Sequence, residues 1–257
     1  MKDIQNQRDT RNLDVDKVGI KDIRYPVVLS DRYKGKQSTV ARINMYVRLP
    51  HDFKGTHMSR FVEILSKHSE DINLYSVGNI LDEMKEKLDS EEAFIELSFN
   101  YFLKKKAPIS CQEAMMDYYC TYLGSAGKDW KDSVLSVRVP VLTLCPCSKE
   151  ISVQGAHNQR SYVTISVRMK KLMWIEELIE IAERSASSPV YPLLKREDEK
   201  YVTENSYENP VFVEDVVRNA ATMLMAEDRI VWFEVSSENM ESIHNHSAYA
   251  VITRDKR

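Results

Sequence analysis

Apolar residues recur along this chain with two periods, and the switches between them mark out its elements. Residues 1–30 are polar and lack a steady period, which predicts an arm that docks onto something else. Val40, Ile43, Met45 and Val47 then lie in a β-like run, with Met45, Val47 and Leu49 alternating with polar or aromatic residues until Pro50. Met58, Phe61, Val62 and Leu65 follow helical spacing, as do Leu74, Val77, Leu81, Met84 and Leu88. Alternation returns over Ala93–Leu103 and Ala114–Leu123, predicting two strands. The second half has the same order. Val137, Val139 and Val141 mark a strand over Val134–Leu144, and Val163, Ile165, Val167 and Met169 mark another. Leu172, Ile175, Leu178, Ile179 and Ala182 form one amphipathic helix. Asn209 and Pro210 read as an N-cap followed by proline at the first helical position, opening a helix through Leu224. Ile230–Val235 and Ala248–Thr253 close the chain as strands. The region 185–209, rich in Ser and Pro and then charged, reads as a long loop. The pattern predicts an α+β fold: two ββααββ modules over 31–130 and 131–257, each an antiparallel sheet with helices on one face. Open sheet edges favour pairing between modules or subunits.

Composition narrows the function classes. The net charge of −3 provides no bulk attraction to nucleic acid or to a membrane surface. No apolar run approaches the roughly 18 residues that span a bilayer. The polar N-terminus and four cysteines suit a cytoplasmic protein with reduced thiols. With seven glycines there is no Gly-rich phosphate loop and no dinucleotide fingerprint. A bound nucleotide is therefore held by side chains and helix ends.

Chemistry-bearing residues concentrate in two segments. Cys145-Pro146-Cys147-Ser148-Lys149-Glu150 is followed by Gly155-Ala156-His157-Asn158-Gln159-Arg160. A thiol beside an imidazole suits a transition metal. Downstream, Glu241-Ser242-Ile243-His244-Asn245-His246 adds a carboxylate and two imidazoles. Each residue also has a plainer reading. Cys147 could be a buried structural thiol, His157 a solvated loop residue, and 241–246 a polar turn before the last strand. Glu214 could simply favour a helix N-terminus. His57 stands at a loop-to-helix junction, and Lys149, Arg160, Arg60 and Lys54 are phosphate candidates by charge alone. Cys145 reads as packing.

Together with Lys54-Gly55-Thr56-His57-Met58-Ser59-Arg60-Phe61, Glu208-Asn209-Pro210 and Phe212-Val213-Glu214-Asp215, these segments resemble GTP cyclohydrolase I of the type IB class across nearly the whole chain. The resemblance implies a bimodular tunnelling fold in which subunits close their sheets into barrels, with sites at subunit interfaces in a homo-oligomer, expected to be a tetramer. It implies conversion of GTP to 7,8-dihydroneopterin triphosphate and formate, the first step of folate-type pterin synthesis. It makes Cys147, His157 and Glu199 the ligands of a divalent metal; zinc suits this set, and manganese or iron fits more loosely. Glu241 and His244 become acid–base groups, His57 a further proton-transfer group, and Glu214 the residue that grips guanine. Lys149 and Arg160 are placed at the triphosphate. Two rivals stand beside this reading: an NADPH-dependent nitrile reductase of the same fold, where a cysteine is the nucleophile, and a non-catalytic zinc-stabilised assembly protein.

Overall fold

A computed structural model describes Gln5, residues 8–33 and residues 35–257. The chain divides into two compact units. The first comprises Met1–Asn100 and Thr121–Leu135, the second Tyr101–Cys120 and Ser136–Arg257. The first contains β1 (Val15–Asp31), β2 (Gly35–Leu49), α1 (Met58–His68) and α2 (Leu74–Lys87). Strands β3 (Ala93–Lys106), β4 (Glu113–Ala126) and β5 (Lys131–Leu144) contribute residues to both units. The second continues with α3 (Pro146–Ile151), β6 (Asn158–Met169), α4 (Ile175–Ser185) and β7 (Ser188–Pro189). It ends with α5 (Arg196–Glu208), α6 (Val213–Ala226), β8 (Ile230–Asn239) and β9 (Ala248–Asp255). Strands follow one another in the order β1-β2-β3-β4 and again in the order β5-β6-β8-β9, with β7 attached to β5. The order ββααββ thus occurs twice, and in the second occurrence β7 and α5 stand between the two principal helices.

In the first unit the period-two rows Ile43, Met45, Val47 and Ile95, Leu97, Phe99 are buried, as are Phe61, Ile64 and Leu65 of α1 and Val77, Ile80 and Leu81 of α2. Full burial of each such side chain contributes about 1.5–3 kcal/mol. Helix α2 lies so close to the sheet that a Cβ at Gly124 would stand 2.5 Å from Val77 Cγ1 and 2.9 Å from Ile95 Cγ2.

The second unit has inward rows whose character changes along their length. On β5 the row runs Val137, Val139, Val141, Thr143, and on β6 it runs Val167, Ile165, Val163, Ser161, Gln159, all buried. On β8 it runs Phe233, Val235, Ser237, Asn239. The register pairs Val167 with Phe233, Ile165 with Val235, Val163 with Ser237 and Ser161 with Asn239. One end of the sheet is therefore apolar, and α4 and α6, which pack on β6 and β8, bury Leu178, Ala182, Val216 and Ala220. The other end is buried but polar.

Three features depart from the sequence pattern. Residues 15–31 are not an arm; they pair antiparallel with β2 from Val15 opposite Leu49 to Asp31 opposite Gly35. Their alternation is faint because β1 ends the strand order and buries only Val27, Leu29 and Asp31 at its far end. Of the remainder of the expected arm, residues 1–4, 6 and 7 lie outside the described residues. The region 185–209 is largely helix, not loop, and Asn209 is the C-cap of α5 rather than the N-cap of α6, which begins at Val213. Helices α4, α5 and α6 share one start signal: Glu177, Asp198 and Asp215 each accept a hydrogen bond from the backbone N–H three residues earlier, at 2.8, 2.8 and 3.0 Å. Nor do the compact units follow a 130/131 division. The tip of the β3–β4 hairpin belongs to the second unit because its polar side chains are satisfied there. Tyr101 Oη donates to Glu176 Oε1 at 2.8 Å, Tyr118 Oη donates to Glu183 Oε1 at 3.2 Å, and Lys105 pairs with Glu183.

At the end of α6, Lys256 Nζ donates to the carbonyls of Leu224, Met225 and Glu227 at 3.1, 2.9 and 2.8 Å, closing the helix as a cation at its negative end. Beside it Arg229 donates to Glu227 Oε2 at 2.7 Å and Glu177 Oε1 at 2.8 Å. The Arg229 hydrogen bonds hold the Glu227 carboxyl down, from 4.5 to about 2.

Gly124→Ala is expected to destabilise the protein by about 1–3 kcal/mol through overpacking. Gly78→Ala, whose new Cβ meets nothing within 4 Å in α2, should stabilise it by up to about 1 kcal/mol. Thermal midpoints of the two variants should therefore move in opposite directions. A depressed carboxyl stabilises the fold above its ordinary value and loses that contribution as pH falls through the folded value. The midpoint deficit of Glu227→Gln should thus be full at neutral pH and close between pH 4.5 and about 2. A deficit that persists unchanged in acid would show that Glu227 acts otherwise than through its charge.

Candidate active site

Where β5 ends, Cys145 becomes the N-cap of α3, and its Sγ accepts a hydrogen bond from Ser148 N at 3.4 Å. Pro146 takes the first helical position, where its missing N–H costs nothing. Cys147 follows at an exposed position in the first turn. Gly155, at φ 72°, turns the chain back. Two hydrogen bonds then close the loop: Cys145 N donates to His157 O at 3.1 Å, and His157 N donates to Ser148 Oγ at 3.2 Å. The backbone of His157 is thereby fixed against the short helix that carries Cys147.

The imidazole of His157 is largely enclosed. Its Nδ1 stands 3.0 Å from Gln159 Oε1 and 3.8 Å from Glu241 Oε2. Glu241 reaches it from the end of β8, where Met240 N donates to Arg160 O at 3.1 Å. A turn follows, with His244 N donating to Glu241 O at 3.3 Å. His244 is exposed, and its ring stacks on that of His246 with centroids 5.0 Å apart.

Helix α5 is held at both ends. At its start, the buried Asp198 carboxylate accepts from Ile109 N at 2.8 Å, Ser110 N at 2.8 Å and Ser110 Oγ at 2.6 Å. Burial pushes this carboxyl up, but hydrogen bonds from Ser110, Lys195 and Ile109 outweigh it and hold the group well below the usual carboxylate range. At its far end, Lys149 Nζ donates to Tyr207 O at 2.5 Å and lies 4.2 Å from the centre of the Tyr207 ring. The Lys149 cation, a phosphate candidate by charge, here closes the C-terminus of the neighbouring helix with one of its donors.

The structure thus brings His157, Gln159 and Glu241 together beside the Cys147 helix. It places Glu199 and Glu214 exposed in the first turns of α5 and α6, and Arg160 exposed on β6. Among the described residues, no three His, Cys, Asp or Glu side chains cluster closely enough to hold a metal ion. His57 lies in the first unit, lining a pocket of about 210 Å³ with Phe53, Thr56, Arg60, Leu88 and Asp89. Gln159, Thr143 and Ser161 stand behind His157, with no chemical motif to mark them. Carrying the β6 alternation two steps back from Val163 points Ser161 and Gln159 inward, and that signal was available.

Residues 1–250 match the family model described as type I GTP cyclohydrolase folE2. The chain is 58% identical over 257 residues to GTP cyclohydrolase FolE2 of Geotalea uraniireducens (strain Rf4), covering 100% of this chain and 94% of that protein. Against GTP cyclohydrolase FolE2 of Geobacter sulfurreducens it is 56% identical, covering 100% and 99%. Among solved structures, uricase from Arthrobacter globiformis aligns with TM-score 0.54 at 9% identity, covering 94% of each chain. Urate oxidase from Bacillus sp. TB-90 aligns with TM-score 0.55 at 10% identity, covering 95% of this chain and 100% of that one. At such identities the likeness is one of fold alone: an α+β tunnelling fold.

Proposed function

Because the chain belongs to the type I GTP cyclohydrolase FolE2 family, we propose that it converts GTP and water to 7,8-dihydroneopterin triphosphate and formate in pterin and folate biosynthesis. The observation that carries the reading is the pairing of His157 with Glu241 and Gln159 against the Cys147 helix.

By the chemistry of its donors, thiolate, imidazole and carboxylate, the set suits a divalent ion, although the three side chains do not converge in this structure. With Nδ1 of His157 facing Gln159 and Glu241, its Nε2 is the nitrogen left to bind a metal, the arrangement typical of metal-binding histidines. Cys147 stands exposed in the first turn of α3, open to a ligand. Cys147, His157 and Glu199 would hold the ion; zinc suits thiolate and imidazole, with manganese or iron as looser fits. When bound, such an ion lowers the pKa of a coordinated water to about 7 and so supplies hydroxide at neutral pH.

The remaining work falls to the chain's own groups. Water adds at guanine C8 while N7 takes a proton; the C8–N9 bond opens to a formamide, and a second water releases formate. Ribose rearrangement and closure of the new ring return one water, so the net reaction consumes one. Glu241 and His244 hold and move these protons, and His57 is a further proton-transfer group. Well-placed acid–base groups contribute roughly 10²–10⁴-fold each. Glu214 accepts from guanine N1–H and the 2-amino group, a pair of donors that adenine lacks. Lys149 and Arg160 bind the triphosphate, which is not cleaved and serves orientation. The active form is a homo-oligomer, read as a tetramer, of bimodular tunnelling-fold subunits whose sheets close into barrels. Exposed Tyr249 and Val251 on the edge strand β9 favour such pairing.

Cys147→Ala is expected to abolish formate release from GTP and to lower metal content sharply. Normal turnover with normal metal stoichiometry would remove Cys147 from the site. Glu214→Gln should weaken GTP binding at least tenfold with metal content intact, since losing a partner from a charged hydrogen bond costs about 1.5–3 kcal/mol. Titration calorimetry with GTP, read beside the thermal midpoint, tests this. Unchanged affinity with a lowered midpoint would reduce Glu214 to a helix-end charge.

A further inference from the structure

A buried chain of polar side chains leads from the core to His157. Thr143 Oγ1 lies 2.7 Å from Ser161 Oγ, and Gln159 Nε2 donates to Thr143 Oγ1 at 3.0 Å. Gln159 Oε1 lies 3.0 Å from His157 Nδ1. Thr143 and Ser161 are fully buried and Gln159 is 6% exposed, so no member can turn to solvent for another partner. With the Gln159 amide N–H donated to Thr143, whose hydroxyl can pass its own proton to Ser161, the carbonyl oxygen is the atom presented to the imidazole. That oxygen can only accept. The second group facing Nδ1, the Glu241 carboxylate at 3.8 Å, also only accepts when ionised. Both neighbours therefore favour a proton on Nδ1 and a lone pair on Nε2.

We infer that Gln159 is a positioning residue: anchored through Thr143 to Ser161, it locks His157 in the Nδ1–H tautomer and aims Nε2 outward as a ready ligand. This rests on the reading of His157 as a metal-binding residue, but its first consequence holds without any metal. A free imidazole favours a proton on Nε2, the form that cannot coordinate through that atom. Gln159 removes this cost before an ion arrives. The contact with Gln159 also opposes a flip of the ring about its Cβ–Cγ bond, which would put Cδ2 in the place of Nδ1 and Cε1 in the place of Nε2.

The test uses full-length protein labelled with ¹⁵N at histidine. Two-bond ¹H–¹⁵N correlation spectra of metal-free protein are recorded at about pH 8.5, where an imidazole is neutral. Wild type should show His157 as the Nδ1–H tautomer. Gln159→Leu, which keeps the bulk and removes the acceptor, should shift it towards Nε2–H. Gln159→Glu, which keeps the acceptor while the Thr143 hydroxyl rotates to donate, should restore it. Thr143→Val, which removes the hydroxyl that orients the Gln159 amide, should shift it part of the way, and a spectrum identical to wild type would remove Thr143 from the chain of contacts. Zn²⁺ affinity by chelator competition should fall 10–100-fold in Gln159→Leu, the usual effect of losing such a partner, and recover in Gln159→Glu. Wild type in the Nε2–H form, or a Gln159→Leu protein still in the Nδ1–H form, would overturn the inference. If the tautomers behave as expected but His157→Ala keeps wild-type Zn²⁺ affinity, the positioning role stands and the metal reading fails.

Discussion

The second unit depends on one constraint: the buried polar end of its inward strand rows must find all its hydrogen bonds within the protein. An unsatisfied buried polar group costs about 1–3 kcal/mol, comparable to the gain from burying one valine. Thr143, Ser161, Gln159, Ser237 and Asn239 meet the requirement largely among themselves, with Ser237 Oγ donating to Asn239 Oδ1 at 3.0 Å. The row ends at an imidazole, and through it at Glu241. The same strands that exclude water at one end thus present an oriented histidine at the other. Fold and chemistry share a single register, since slipping β6 by one residue would turn Gln159 and Ser161 out to solvent.

Helix α5 answers a different problem. It has little apolar surface to hold it down, with Asp198 and Ser206 as its buried residues. Its attachment is therefore polar and terminal: Asp198 into the hairpin turn at one end, Lys149 onto Tyr207 at the other. The second contact comes from the helix that carries Cys147, so α3 and α5 are joined directly. A cation two residues from the thiol meets a helix end with one of its donors, and Arg160 is an exposed cation of the same motif.

Much of this was legible in the chain. The alternation of Val137, Val139 and Val141, and of Val163, Ile165 and Val167, identified β5 and β6 because both bury one face. The crowding of Cys147, His157 and Glu241 into polar segments singled out the candidate site. What escaped did so for physical reasons. Strand β1 lies at the end of the strand order and shows only a short inward row. Helix α5 is polar on nearly every side, so periodicity is silent, although Glu197, Asp198 and Glu199 are the acidic first turn that helix starts favour. Lys149 announces its charge but not its direction. The contact between His157 and Glu241 joins positions remote in sequence and follows from the β6–β8 register, which composition does not encode.

The turn between β3 and β4 has a bearing on how this chain could be engineered. Tips of hairpins are ordinarily where a tag, an inserted domain or new termini are accommodated, because little else relies on them. Here the amides of Ile109 and Ser110 are the seat of Asp198, and Cys111 holds a left-handed φ of 58° to shape the turn. Lengthening or opening the loop would unseat the start of α5. An exposed turn that looks like the natural place to cut this protein is a joint of its architecture, closed to grafting and to circular permutation.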